Sequence, residues 1–152
     1  MAHTLGEAWF QRDLRAKIQR VQQNFMRNGL TITFNGVAII PDDWGLKDGE
    51  GIEPFFRRFQ DDLGGDYPLH TRLYAGIGGG DRRGAGWYVF CNGRCIVEAD
   101  QSALTGWGEM EGGVTIPRYH AQFGKFRGYA FLDCRDASLL PWNTTKTSID
   151  VE

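Results

Sequence analysis

Residues that cross-link or stiffen a chain are scarce in this sequence, which has three cysteines and five prolines among 152 residues. Three is an odd number and no secretory signal is recognisable, so we expect a reducing, cytoplasmic setting rather than a disulfide framework. No apolar stretch reaches the roughly 18 residues that a membrane-spanning helix requires. These absences argue against a small disulfide-rich secreted domain and against insertion in a membrane.

A strong net charge is also missing. Seventeen basic residues nearly balance nineteen acidic ones, and the formal net charge is -2 at pH 7. This balance gives no global field that would attract nucleic acid or an anionic membrane. Locally, residues 1–28 have five basic against two acidic residues, and residues 42–66 have three against eight. The two regions indicate either solvated faces or a docking surface for another protein segment.

Clusters of residues that could bind a metal ion or activate a nucleophile are lacking as well. Cys91 and Cys95 are close in sequence, but a metal site needs more ligands, and His70 and His120 lie in unrelated contexts. His120 could act as an acid or a base, yet no nucleophile accompanies it at a motif spacing. We therefore predict no metal site and interpret His120 as a structural or surface histidine.

Glycine is what the sequence has in excess. Twenty of its 21 glycines lie between residues 29 and 128, and none follows residue 128. This distribution predicts a β-rich middle with many turns, flanked by less interrupted segments. The glycine-rich run over residues 76–80 is not followed by the Gly-Lys-Ser/Thr of a Walker loop, so we interpret it as a connection between strands.

The first segment predicts one amphipathic helix over residues 5–28. Thr4 and Glu7 fit a capping box at its start, and Asn28 with Gly29 supplies a left-handed stop. Apolar residues recur at spacings of three and four, which places them on one helical face. They are Phe10, Leu14, Ile18, Val21 and Phe25.

The middle of the chain predicts a sheet. Asn92-Gly93 lies between two apolar runs, which is the pattern of a two-residue hairpin with a type I′ turn. Both faces of the run before this turn are apolar, so we expect that strand to be central. Around Phe55, Phe56 and Phe59 we expect a short helical turn over residues 53–62. Strands are predicted over residues 30–34, 37–40, 69–77, 87–91, 94–97 and 126–133. One long helix with a mixed or antiparallel sheet makes an α+β domain.

The C-terminal tail combines an apolar anchor with one cation. Leu-Leu-Pro-Trp at residues 139–142 can anchor the segment in a core, and short polar side chains then surround Lys146. A long cation that projects from a fixed base suits delivery of a point charge to a phosphate. A capped surface loop has the same composition, and the residues alone leave both interpretations open. The polar neighbours are Asn143, Thr144, Thr145 and Thr147.

Four segments, taken in order, resemble one superfamily. Residues 86–94 are similar to the G-x-Y-V-x-x-N-x-R hairpin in the second domain of gyrase, heat-shock-chaperone, histidine-kinase and MutL-type (GHKL) ATPases, especially microrchidia-like and bacterial members. Residues 28–36 resemble the strand that opens that domain, and residues 126–131 its F-R-G-x-x-F strand. Residues 140–147 resemble its terminal lysine loop. The similarity covers roughly residues 5–150.

The resemblance implies a fold and a role. The second domain of these ATPases is the transducer, an α+β domain with the fold of a ribosomal small-subunit protein's second domain. By its position in the motif, Lys146 would reach the γ-phosphate of ATP in the N-terminal ATP-binding domain of the same protein and assist hydrolysis, while Asn143, Thr144 and Thr145 shape the loop. ATP and Mg²⁺ are then expected only in the full-length protein, which the resemblance implies to be a homodimer.

The chain departs from the superfamily because it lacks the ATP-binding motifs. Neither E-x-x-x-N nor D-x-G-x-G occurs, and the helix that follows the lysine loop is missing. We therefore expect a fragment of a longer ATPase, with residues 1–28 as a connecting helix and residues 29–152 as the transducer-like domain. The alternative is a free-standing α+β module that binds a protein or a nucleic acid without ATP linkage. A third interpretation is an independent hydrolase that uses His120 and a nearby carboxylate.

Overall fold

The computed structural model describes residues 8–41, 45–79, 82–111, 113–143, 145–146 and 148–149. The chain divides into two compact units, residues 1–43 and residues 44–152. The predicted boundary at residue 28 lies within the first unit. None of the helices that the structure describes has both the length and the apolar character needed to cross a membrane.

The first unit contains the predicted helix, in two pieces. Helix α1 spans Ala8–Val21 and helix α2 spans Gln23–Arg27. Gln22 between them has φ -100° and ψ 4°, but its N–H still donates to the Ile18 carbonyl at 2.9 Å, so the two pieces follow one another closely. Gly29 ends the helical segment with a φ of 104°, as the sequence predicts. The predicted capping box at Thr4 and Glu7 lies outside the described residues.

A small hairpin completes the first unit. Strand β1 (Thr33–Phe34) pairs antiparallel with strand β2 (Val37–Ala38), and both are shorter than predicted. Asn35 in the turn has a φ of 51°, and its side chain donates to the Gln11 side chain of α1 at 3.2 Å. The Arg15 guanidinium donates to the Ala38 carbonyl at 2.7 Å. These bonds tie the hairpin to α1.

The second unit is built on a mixed sheet of five strands, and the predicted α+β class is confirmed. Its strands and those of a smaller sheet are β3 (Phe55–Asp61), β4 (Leu69–Ile77), β5 (Gly86–Cys91), β6 (Arg94–Asp100), β7 (Met110–Glu111), β8 (Val114–Thr115) and β9 (Phe126–Asp133). The strand order of the five-stranded sheet is β3-β4-β9-β5-β6, in which β5 and β9 are parallel and the other neighbours are antiparallel. Strands β7 and β8 form the separate two-stranded sheet inside a glycine-rich loop, where the sequence predicts no strand.

The helical turn predicted over residues 53–62 is wrong, because this segment forms strand β3. All seven residues of β3 pair with β4 in continuous antiparallel register. The spacing of the three phenylalanines fits a helix, but aromatic side chains also favour strands. Hydrogen bonding to β4 decides between the two states, and that contact is not visible in the local sequence.

The hairpin predicted at Asn92-Gly93 is confirmed. The two turn residues have φ values of 46° and 81°, as a type I′ turn requires, and Cys91 pairs with Arg94 beside them. The Asn92 side chain also donates to the Cys134 carbonyl at 2.9 Å and accepts a hydrogen bond from the Cys134 N–H at 3.0 Å. We call this reciprocal pair of bonds the Asn92–Cys134 clamp. It joins the β5–β6 turn to the chain that leaves β9.

Gly86 begins β5 at a position that no other residue fits. Its φ is 127°, and a Cβ atom built there would lie 2.5 Å from the backbone oxygen of Asp100. A contact this short with backbone cannot be relieved by a side-chain rotation, so the close approach of β5 to β6 depends on glycine.

The sheet supports an apolar cluster on each face, since successive residues of a strand point to opposite sides. On one face the Phe90 and Phe131 rings stack with centroids 4.8 Å apart, and Tyr88 stacks on Tyr129 at 5.5 Å. The other face has a cluster that includes the C-terminal segment. Its buried members are Leu69, Val89, Cys91, Ile96, Val97, Cys134 and Leu140.

Candidate functional site

The base of the predicted lysine loop is anchored on the sheet. Leu140 is buried in the apolar cluster, and Trp142 and Ile149 pack against it. A short 3-10 turn precedes the loop, and the carboxylate of Asp136 accepts hydrogen bonds from the Ser138 N–H and hydroxyl at 2.9 and 2.6 Å. These bonds lower the pKa of Asp136, because they stabilise its charged form. The apolar anchor expected from the sequence is therefore present.

The loop itself is closed by backbone and side-chain hydrogen bonds. Trp142 and Ile149 form an antiparallel bridge, and the Asn143 N–H donates to the Ser148 carbonyl at 2.9 Å. The Lys146 N–H donates to the Asn143 carbonyl at 2.8 Å, and the Thr145 hydroxyl donates to the Asn143 Oδ1 at 3.1 Å. A segment closed in this way presents its tip from a fixed base.

Lys146 lies at the tip of this loop with an unusual backbone conformation. Its φ is 56°, in the left-handed region that non-glycine residues adopt rarely. Its side chain is exposed, and its Nζ lies 4.3 Å from the ring centroid of Trp142. A cation at this distance from an indole face is stabilised by about 0.5–1 kcal/mol at an exposed site. The ammonium group thus has a defined but weakly held position above Trp142.

The indole of Trp142 is held in place by a hydrogen bond and by apolar packing. Its Nε1–H donates to the carbonyl of Ala137 at 3.0 Å, and the ring packs on the apolar cluster. The sequence identifies Trp142 as an anchor but does not show that it also holds the lysine. No spacing in the sequence indicates this contact, because residues four apart face each other regularly only in a helix, and Trp142 and Lys146 lie in a loop.

Of the predicted site residues, the structure brings Asn143, Thr145 and Lys146 together in one loop. Thr144 and Thr147 lie outside the described residues. His120 is elsewhere, where its Nδ1 accepts a 3.4 Å hydrogen bond from the Gln122 N–H and caps a short 3-10 turn. That contact and its exposed position agree with its interpretation as a structural or surface histidine.

The three cysteines are buried free thiols. Burial, together with the nearby Asp133 carboxylate, raises the pKa of Cys91 to about 11, so its thiol stays protonated at neutral pH. Among the described residues, no group of three or more His, Cys, Asp or Glu side chains could hold a metal ion.

The contact between Lys146 and Trp142 makes a spectroscopic prediction for the isolated chain. We expect the ε-methylene protons of Lys146 to resonate upfield of an ordinary lysine, because a contact worth about 0.5–1 kcal/mol keeps them over the indole roughly two- to fivefold more often than not. Trp142→Leu should return them to the ordinary position, and Trp142→Phe should keep part of the shift. A carbon–proton correlation spectrum measures this, with the exposed Lys125 as internal control. An ordinary Lys146 shift in the unaltered chain would contradict the contact.

Comparisons with known proteins give no relative. No protein-family model matches the chain, and neither does any curated protein or solved structure.

Proposed function

We propose that this chain is the transducer domain of a longer GHKL-type ATPase, in which Lys146 contacts the γ-phosphate of ATP. The observation that carries the proposal is the loop between Trp142 and Ile149, which holds one exposed lysine at its tip. This geometry supports the interpretation of the tail as a phosphate-contacting loop, since a fixed base and a long cation are what such a contact needs.

The relative strength of two contacts supports a sensing role for Lys146. Its present contact with Trp142 is worth about 0.5–1 kcal/mol. A hydrogen bond between an ammonium group and a charged phosphate is worth about 1.5–3 kcal/mol. The phosphate contact therefore wins when ATP is present, and the lysine returns to Trp142 when the γ-phosphate has left. Two alternative positions of one cation would report the nucleotide state.

The rest of the proposed machine lies in the N-terminal ATP-binding domain, which would hold ATP and Mg²⁺ and mediate homodimerisation. This chain would contribute Lys146, the shaping residues Asn143, Thr144 and Thr145, and the sheet that carries them. We propose a cytoplasmic location for the whole protein, where ATP is available.

The proposal is tested by chemical modification of the full-length protein. A non-hydrolysable ATP analogue is expected to slow acetylation of Lys146 at least fivefold compared with ADP, because the amine is engaged by the γ-phosphate. Peptide mass spectrometry after brief treatment with an acetylating reagent gives the rate at each lysine. Lys125 is the matched control and should react at the same rate with both nucleotides. Equal rates at Lys146 with the analogue and with ADP would refute the contact.

A further inference from the structure

Strand β3 is an edge strand with an open outer side. Its seven residues pair with β4 without a bulge, and β4 is its one neighbour in the part of the chain that the structure describes. All seven residues are exposed. An edge of this kind presents a row of backbone N–H and C=O groups to which another strand can pair.

Strand β3 has some of the usual protections of an edge and lacks others. Natural edges are short, bulged, or blocked by proline or charged side chains. Strand β3 has charged side chains but no proline and no bulge, and its Phe55, Phe56 and Phe59 side chains are 48%, 46% and 42% exposed. Phe55 and Phe59 lie on one face of the strand and Phe56 on the other, so each face presents a half-exposed aromatic ring that a partner would cover.

The charge on β3 indicates the chemistry of that partner. Arg57 and Arg58 are consecutive and therefore point to opposite faces of the sheet. Arg57 lies 6.0 Å from the ring centroid of Phe55, and Arg58 lies 5.2 Å from that of Phe56. In the described part of the chain, no carboxylate forms an ion pair with either guanidinium. Both faces of the strand thus carry a positive charge that an acidic neighbour would balance.

The neighbouring strand β4 adds a further positive charge beside Arg58. Arg58 lies directly opposite Arg72 of β4, and like charges in that position repel. Asp133 is already bound to Arg72, since its carboxylate accepts a 2.9 Å hydrogen bond from that guanidinium. An open groove of about 530 Å³ adjoins these residues. It is lined by Arg58, Phe59, Gln60, His70, Thr71 and Arg72.

We propose that β3 is a docking strand for an extended peptide of a partner protein, which adds to the sheet beside it. The peptide has two consecutive acidic residues opposite Arg57 and Arg58, flanked by apolar residues opposite the phenylalanines. Main-chain hydrogen bonds supply the affinity, and the two ion pairs supply the choice of partner. A second copy of this chain fits less well, because an antiparallel pair centred on β3 would place Arg58 opposite Arg58. The proposal is independent of the lysine loop.

A labelled synthetic peptide, acetyl-Lys-Thr-Val-Glu-Glu-Val-Val-amide, tests the proposal by fluorescence polarisation with the full chain. We expect saturable binding that weakens at least tenfold when lysine replaces both glutamates. Arg58→Glu should weaken binding of the acidic peptide at least tenfold and strengthen binding of the lysine-substituted peptide. Arg118→Glu, which changes an exposed arginine outside β3, should alter neither. Circular dichroism of each variant shows that the sheet is retained.

Two N-methylated forms of the peptide separate strand addition from simple charge attraction. One is methylated on odd-numbered amides and the other on even-numbered amides, so only one of them blocks the amides that face β3. We expect one form to lose binding and the other to keep it. Equal binding of both forms, or no effect of Arg58→Glu, would overturn the proposal.

Two further outcomes would assign the strand to another partner and also overturn the proposal. One is tight binding of a ten-residue deoxythymidine oligonucleotide that Arg58→Glu abolishes, with no binding of the peptide. The other is a concentration-dependent dimer in analytical ultracentrifugation that Phe59→Ser dissociates.

Discussion

Replacing Lys146 with alanine in the full-length protein is expected to lower the turnover of ATP about a hundredfold. A cation preorganised at a developing phosphate charge lowers the barrier by about 3 kcal/mol, and the variant removes that cation. The fold should not change, because the side chain is exposed and the loop is closed by the Lys146 N–H and by the bonds of Asn143. Phosphate release at saturating ATP gives the turnover, and thermal unfolding gives the stability.

Two further variants test whether the lower turnover of Lys146→Ala is due to the missing positive charge at this position. Lys125→Ala removes another exposed lysine and should leave turnover unchanged. Lys146→Arg keeps the charge but presents it in a planar fork, so it should recover part of the activity. Near-normal turnover of Lys146→Ala would remove this residue from the proposed mechanism.

Truncation of Phe90 to alanine is expected to lower the free energy of unfolding by about 3–5 kcal/mol. Phe90 has no exposed surface, and its ring stacks on Phe131 with centroids 4.8 Å apart. Its strand β5 is hydrogen-bonded on both sides, to β9 and to β6, so the surrounding backbone cannot close the cavity. Domains are stable by only about 5–15 kcal/mol, so this loss is a large part of the total.

Urea unfolding followed by circular dichroism measures the loss at Phe90, with Phe55→Ala as the matched control. Phe55 is 48% exposed on an edge strand, and its truncation should cost less than about 1 kcal/mol. Similar losses for the two variants would contradict the burial of Phe90 on an interior strand of the sheet.

Local signals in the sequence predict the parts of the fold that local chemistry determines. The Asn92-Gly93 turn needs two positive φ angles, which those residue types supply, and β9 matches its predicted bounds. Strand β3 could not be predicted, because its state depends on pairing with β4. The parallel pairing of β5 with β9 joins strands about 40 residues apart, and no local pattern records it.

The candidate site could also be predicted only in part from the local sequence. Asn143, Thr145 and Lys146 could be identified because they are consecutive or nearly so in the sequence. The contact of Lys146 with Trp142 is made with a left-handed backbone conformation at the lysine, which residue type does not favour. The sequence therefore identifies the cation but not the ring on which it rests.

The Asn92–Cys134 clamp has a mechanical consequence. Parallel strands end at the same edge of a sheet, so the C-terminal ends of β5 and β9 lie side by side. The clamp joins the chain just beyond these two ends. The segment that carries the lysine loop therefore starts from a braced point rather than from a free hinge. The buried Leu140 and the clamp therefore connect the base of the lysine loop to the sheet at two points.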